Sequence, residues 1–271
     1  MKKLFFLLPG MICWGVLQAQ VKEGTVIYER KTNMHRIIQD EQMRAMMPEF
    51  RTSKHQLLFS DSISVYKVVP EDEAPDPFAG GGGGPRIMIR NGPGDAGELY
   101  KNFAQAKSVQ VSELGGKNYI IIDSIKQQPW KLGTETKTIL GHLCHKATRK
   151  INQPVGQVRT MSFSGGVQRS DSTAQSGPQT KEVEVIAWYA DDVVAPVGPE
   201  NFGQLPGVIM ALDIDNAATV YTATELQTKV DQKDLKEPKK GKVVTRQEFQ
   251  TIMMEMTGSQ IPGGGMRFRV N

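Results

Sequence analysis

The chain has 271 residues, with 33 Lys and Arg against 29 Asp and Glu, and a formal net charge of +4 that falls to +2 when Lys2 and Lys3 are set aside. That balance, with no aromatic residues interleaved along a basic stripe, excludes a nucleic-acid-binding protein. Of the two cysteines, Cys13 lies in the apolar N-terminal run, so a processed chain keeps only Cys144 and has no intramolecular disulfide.

Lys2 and Lys3 precede an uncharged stretch from Leu4 to Leu17, and Leu17-Gln18-Ala19 places a small residue where a processing peptidase cuts. A positive start, a short apolar core and a small residue are the signature of a secretory signal peptide. The apolar run is shorter than the roughly 20 residues a bilayer-spanning helix needs. We therefore read residues 1–19 as a signal peptide and expect no transmembrane span after cleavage. About 250 residues then remain, enough for one large domain or two small ones.

Gly24 to Arg30 has strand character, and Ile37 to Met47 has the spacing of a helix, with apolar Ile37, Ile38, Met43, Met46 and Met47 and with Pro48 at its end. Gln56 to Phe59 and the alternating Ser62 to Val68 predict a hairpin turning at Ser60-Asp61. Residues 70–98 carry five prolines, an acidic patch and the run Gly80 to Gly84, and read as a flexible surface loop. Those glycines lack a following Gly-Lys-Ser/Thr ending and a helix, so they are not a phosphate cradle.

Strand signals then follow one another at short intervals. They are Lys107 to Leu114, a Gly115-Gly116 turn, Lys117 to Asp123, Trp130 to Leu132, Thr136 to Leu140, Leu143 to Arg149, Val158 to Phe163, Val183 to Tyr189, Leu205 to Asp213 and Ala218 to Thr224. Residues 164–180 are rich in Ser, Gly and Gln and read as an exposed loop; residues 229–243 read as a solvated linker. Thr245-Arg246-Gln247-Glu248 is a capping-box pattern ahead of Phe249, Ile252, Met253 and Met256, which predicts a helix to about Gly258. Residues 261–271 are a loose tail.

Short strands joined by turns favour antiparallel pairing. The expected fold is mainly β, in the α+β class: residues 20–260 form one curved antiparallel sheet or half-barrel with two or three short helices, one of them on the concave face.

Trp188-Tyr189 is followed by Gly198-Pro199, Phe202 and Gln204-Leu205-Pro206-Gly207-Val208-Ile209, and is preceded by Trp130, Lys137, Ile139-Leu140-Gly141, Cys144 and Lys146-Ala147-Thr148. In order and spacing this set resembles the GLPGLI family of exported bacterial proteins, over roughly residues 20–260. Gln204 stands where the first glycine of the naming hexapeptide would be, and Val208 where its second leucine would be. The resemblance implies an exported bacterial protein and supplies no catalytic residue and no cofactor.

Within the hexapeptide, Pro206 fixes its own φ and holds Leu205 extended, Gly207 permits a positive φ, and the Pro-Gly pair fits a type II turn that launches a buried strand at Val208. One reading of this turn is structural. The other makes Trp188, Tyr189, Leu205, Pro206 and Gly207 a ligand-contacting set at the mouth of an apolar cavity.

Two further clusters carry chemistry. On a strand, His142 and Cys144 share one face and His145 the other; with Met253, Met254 or Met256 they form a candidate soft-metal site for copper. The alternative is a small buried apolar Cys144 flanked by surface histidines. Asp191-Asp192, Asp213 and Asp215 lack the spacing of a calcium loop and read as turn acids. The expectation is a non-enzymatic exported protein of the periplasm or outer envelope of a Gram-negative bacterium. It would bind an apolar ligand or an envelope protein partner, with copper handling through His142 and Cys144 as the alternative.

Overall fold

A computed structural model describes residues 21–37, 41–70, 97–154 and 180–258. The residues read as a signal peptide, most of the two segments read as loops, the strand expected at Val158 to Phe163 and the expected tail lie outside them. The described residues form one open sheet of twelve strands. In chain order these are β1 (Glu23–Asn33), β2 (Phe50–Ser60), β3 (Ile63–Val68), β4 (Leu99–Asn102), β5 (Lys107–Leu114), β6 (Lys117–Ser124), β7 (Lys131–Ile139), β8 (His142–Pro154), β9 (Thr180–Ala190), β10 (Val208–Ile214), β11 (Thr219–Gln227) and β12 (Lys242–Thr245). Their spatial order is β12-β6-β5-β4-β3-β2-β1-β11-β10-β9-β8-β7.

The tight turns use a left-handed backbone, which glycine adopts most easily. Gly115 and Gly116 (φ 59° and 73°) join β5 to β6, and Leu140 and Gly141 (φ 49° and 84°) join β7 to β8. Positive φ at both central positions matches the right-handed twist of the flanking strands.

The sheet is mixed rather than antiparallel, because β12 pairs in parallel with β6. The reason lies in residues 228–241, most of which fall in the 229–243 stretch expected to be a solvated linker. They cross the outer face of the sheet from β11 to the far edge. Leu235 is buried there against Leu58, Val65, Tyr100, Val109 and Ile120, a burial that contributes roughly 2 kcal/mol. Val230 packs against the same cluster, and charged residues on either side hid both anchors. The helix expected at Ile37 to Met47 is entered earlier, as α1 (Met34–Ile37), with α2 (Glu41–Met46) after it. The Asn33 side chain accepts a hydrogen bond from the Arg36 amide at 3.1 Å and so caps the start.

Residues paired directly across strands share a face. That rule puts Ala147, Ala187, Leu212, Tyr221, Arg30, Ser53, Tyr28, His55, Leu57, Tyr66 and Leu99 on one face, called inner here. It holds the larger core. The same rule carries the inner face on through Gln110 to Ile121 and Val244. There α3 (Arg246–Gly258) packs Phe249 and Ile252 against Tyr119, Ile121 and Val244. The helix thus covers one end of the sheet, not its centre.

Candidate functional site

The centre of the inner face is covered by irregular chain, residues 193–207. Val193, Ala195 and Val197 alternate inward and are buried. Their backbones bond locally, Ala195 N to Val193 O and Val197 N to Ala195 O, each at 2.8 Å. Gln204 N donates to Pro196 O at 2.9 Å and Ile209 N to Val197 O at 3.0 Å, which folds the segment back on itself as a strap. A strap without regular structure cannot satisfy its remaining backbone groups internally, so side chains from the sheet must do it. The Trp130 indole N–H, just before β7, donates to Gly203 O at 2.9 Å, and where the strap enters β10 the Tyr28 hydroxyl donates to Ile209 O at 2.6 Å. Lys101 Nζ donates to the Glu200 carbonyl oxygen, and the Tyr221 hydroxyl to the Glu200 carboxylate.

Sequence reasoning missed this Lys101–Glu200–Tyr221 cluster. Its members come from β4, the strap and β11, so no local motif announces it. The available signal was a lysine two residues after Leu99, on the face that Leu99 buries.

The hexapeptide has a different geometry from the expected turn. Gly207 has no left-handed φ. The positive φ belongs to Gln204, at 63°. Its side chain holds it there, accepting from Gln128 N at 2.9 Å and donating to Lys126 O at 2.8 Å. Gly207 is required for another reason: a Cβ built on it would overlap the Ala190 carbonyl at the end of β9.

Of the five residues proposed to contact a ligand, Tyr189 and Leu205 share the main core and Trp188 packs against it from its edge. Pro206 is exposed, and Gly207 is buried against Ala190. Trp188 points to the opposite face from Tyr189 and carries the Lys137 ammonium 4.3 Å from its ring centroid. A recess of about 430 Å³ lies elsewhere, on the outer face, lined by Thr25, Gln56, Glu225, Lys229 and Asp231 among others.

At the end of β8 and β9 the chain brings two histidines onto two aspartates from 46 and 50 residues away: His142 Nδ1 lies 2.6 Å from Asp192 Oδ2, and His145 Nε2 lies 3.1 Å from Asp191 Oδ2. His145 also lies 5.8 Å from the Tyr189 ring. Such pairs orient an imidazole, and covalent catalysis through them would need a nucleophile within reach. Cys144 is wholly buried, and burial pushes its thiol up to about 11. Its Sγ donates to the His142 carbonyl oxygen at 3.5 Å, not to a ring nitrogen. A protonated, buried thiol is inert.

Among the described residues no three of His, Cys, Asp and Glu converge on a metal position. Met253 is exposed on α3, which packs on β6 and β12, near the opposite end of the strand order from β8. The side chains of Met254 and Met256 lie outside the described residues. Asp213 accepts from Ala217 N at 2.6 Å, and Asp215 pairs with Lys181 at 3.0 Å and Arg36 at 3.3 Å, so both acids shape the β10–β11 turn.

A family model described as a protein of unknown function, Porph_ging, matches residues 130–211. This stretch runs from Trp130 to Ala211 and includes both His–Asp pairs, the strap and the hexapeptide. No curated protein matches the chain. In fold it is similar to PNGF-II, solved in space groups P21 and C2, with 13% identity and a TM-score of 0.50 in each case. The likeness covers 86% of this chain and 34% and 33% of the solved chains, so this chain spans about a third of their length. At that identity the likeness is one of fold.

Proposed function

We propose that the chain is an exported, non-catalytic protein of the bacterial cell envelope that binds an apolar ligand, or an apolar segment of an envelope partner, on the inner face of its sheet. The observation that carries this reading is how that face is covered. Tyr28, Tyr221, Leu57 and Leu212 form an apolar and tyrosine-rich surface, and a strap with polar anchors lies over it instead of a second sheet. Domains usually bury such a face against another layer of regular structure. A surface covered by a strap is one that an apolar occupant can take over. In this reading the open sheet is a half-barrel and its inner face is concave.

Export rests on residues 1–19, and the GLPGLI resemblance points the same way. The hexapeptide geometry supports that resemblance. Gln204 has the left-handed backbone that glycine adopts most easily, and Gly207 has no room for a side chain. The rival reading, copper handling, needs the Cys144 sulfur and a histidine nitrogen to converge. The thiol's contact with the His142 carbonyl favours the first reading.

The test is native mass spectrometry of the protein purified gently from an envelope fraction. The expected mass begins at Gln20 and carries a retained lipid-sized adduct. A bare polypeptide that also fails to bind a fluorescent fatty-acyl probe would remove the apolar-ligand reading. Copper retained in the wild type and lost in Cys144→Ser would put the rival in its place.

A further inference from the structure

Lys101 points inward from β4 and is only 6% exposed. Its ammonium donates to the carbonyl oxygen of Glu200, at the tip of the strap, and the Glu200 carboxylate accepts from Tyr221. Glu200 itself has φ 49°, a left-handed backbone that a glutamate adopts only under constraint. The strap is therefore held down at its tip by a buried cation and a buried phenol acting on one strained residue. Its other anchors, Trp130 on Gly203 and Gln128 on Asn201, reach it from the chain just before β7.

We propose that residues 196–205 are a proton-controlled lid over the inner face, latched through Glu200 by Lys101 and Tyr221, and that this lid moves aside when the inner face takes its apolar occupant. The proposal rests on the functional reading above. Its control follows from linkage. With the lid closed, burial lowers the Lys101 amine from 10.5 to about 8, against a smaller raising effect of Glu200. With the lid open, Lys101 meets water and returns to its ordinary value.

Closing therefore releases a proton. The closed state gains as pH rises from 8 toward 10.5, and that gain is lost as pH falls back through 8. The other groups facing the latch are Arg30 on β1, His55 on β2, Tyr66 on β3 and Tyr221 on β11. Arg30 lies 5.7 Å from the Tyr221 ring centroid, and His55 stacks on Tyr66 at 5.3 Å and meets the edge of Tyr221 at 6.3 Å. Burial raises the Tyr221 phenol well above its ordinary 10, so it remains a donor throughout this range and opposes closure only above about pH 10.

Hydrogen exchange of the full chain between pH 7 and 9, corrected for intrinsic exchange, tests the lid. Protection at the Val197, Phe202 and Gln204 amides should be lower than at Leu212 in β10. It should also rise about tenfold from pH 7 to 9. Lys101→Met should remove that slope, and Tyr221→Phe should lower protection at every pH while keeping it. Strap amides that exchange only together with Leu212, or a slope that survives Lys101→Met, would overturn the proposal. If Lys101→Met fails to fold, the contrast between strap and β10 in the wild type decides. A pH-dependent strap on a protein with no lipid-sized adduct would retire the ligand reading and leave the lid standing.

Discussion

The strap and α3 both cover the inner face, and the chain holds them by opposite means. Beneath the strap the sheet presents Lys101 and Tyr221, with Trp130 at its border, each donating a hydrogen bond to strap backbone or to the Glu200 side chain, while Tyr28 donates to Ile209 O where the strap runs into β10. Beneath α3 it presents Tyr119, Ile121 and Val244, against Phe249 and Ile252. The Phe249 ring meets Tyr119 edge-on at 5.5 Å, and one ion pair, Arg246 to Asp123 at 2.6 Å, joins them at the helix start. A helix satisfies its own backbone, so the surface under it is free to be apolar. Irregular chain does not, so the surface under it must carry donors. The buried Lys101 ammonium and Tyr221 hydroxyl are the consequence of covering this part of the sheet with a strap.

The largest effect that would break this comparison is expected at Gly207→Ala. The new methyl group meets the Ala190 carbonyl, which as backbone at a strand end cannot turn aside. We expect a loss of about 3 kcal/mol or more, read from the denaturant midpoint. An unchanged midpoint would mean that the strap does not constrain the strands at its root.

Phe249→Ala should cost about 2 kcal/mol, since the ring is half-buried. The effect should stay local: α3 amides should lose exchange protection while those of the strap keep theirs. Loss in both would show that the two covers are one cooperative unit.

Thr245→Ala is the smallest, at about 1 kcal/mol of helix stability by circular dichroism. Thr245 Oγ1 accepts from Glu248 N at 3.2 Å, and Glu248 Oε2 from Thr245 N at 2.6 Å. Acid should weaken the same end. The hydrogen bond from Arg246 holds the Asp123 carboxyl below its ordinary 3.8, and the Thr245 backbone does the same for Glu248. These contacts are present above the ordinary carboxylate values and are lost as pH falls through the depressed ones. The helix should thus loosen in acid, whereas the strap tightens toward alkaline pH.

Both covers were unevenly legible in the sequence. The capping box and its apolar spacing located α3 because helix signals are local. The strand pattern predicted a β-rich chain for the same reason, and the Gly115-Gly116 pair marked one of the hairpins. By contrast, β4 has only four residues and β12 only four, too few for a periodic signal, and the charged 228–241 segment hid Leu235. The hexapeptide was recognisable, yet the roles of its glycine positions were not, since φ at Gln204 and the Ala190 carbonyl facing Gly207 depend on distant chain.

Alternation and turn residues thus determined, without any tertiary information, that the chain forms short strands and where most of them begin. Only the tertiary structure decided what those strands bring together: Asp192 with His142, Asp191 with His145, and Lys101 and Tyr221 with Glu200. A strand's faces are set by its own period of two. Its neighbours, and the residue each side chain meets, are set by a register of pairings between segments tens to hundreds of residues apart, which no local pattern encodes.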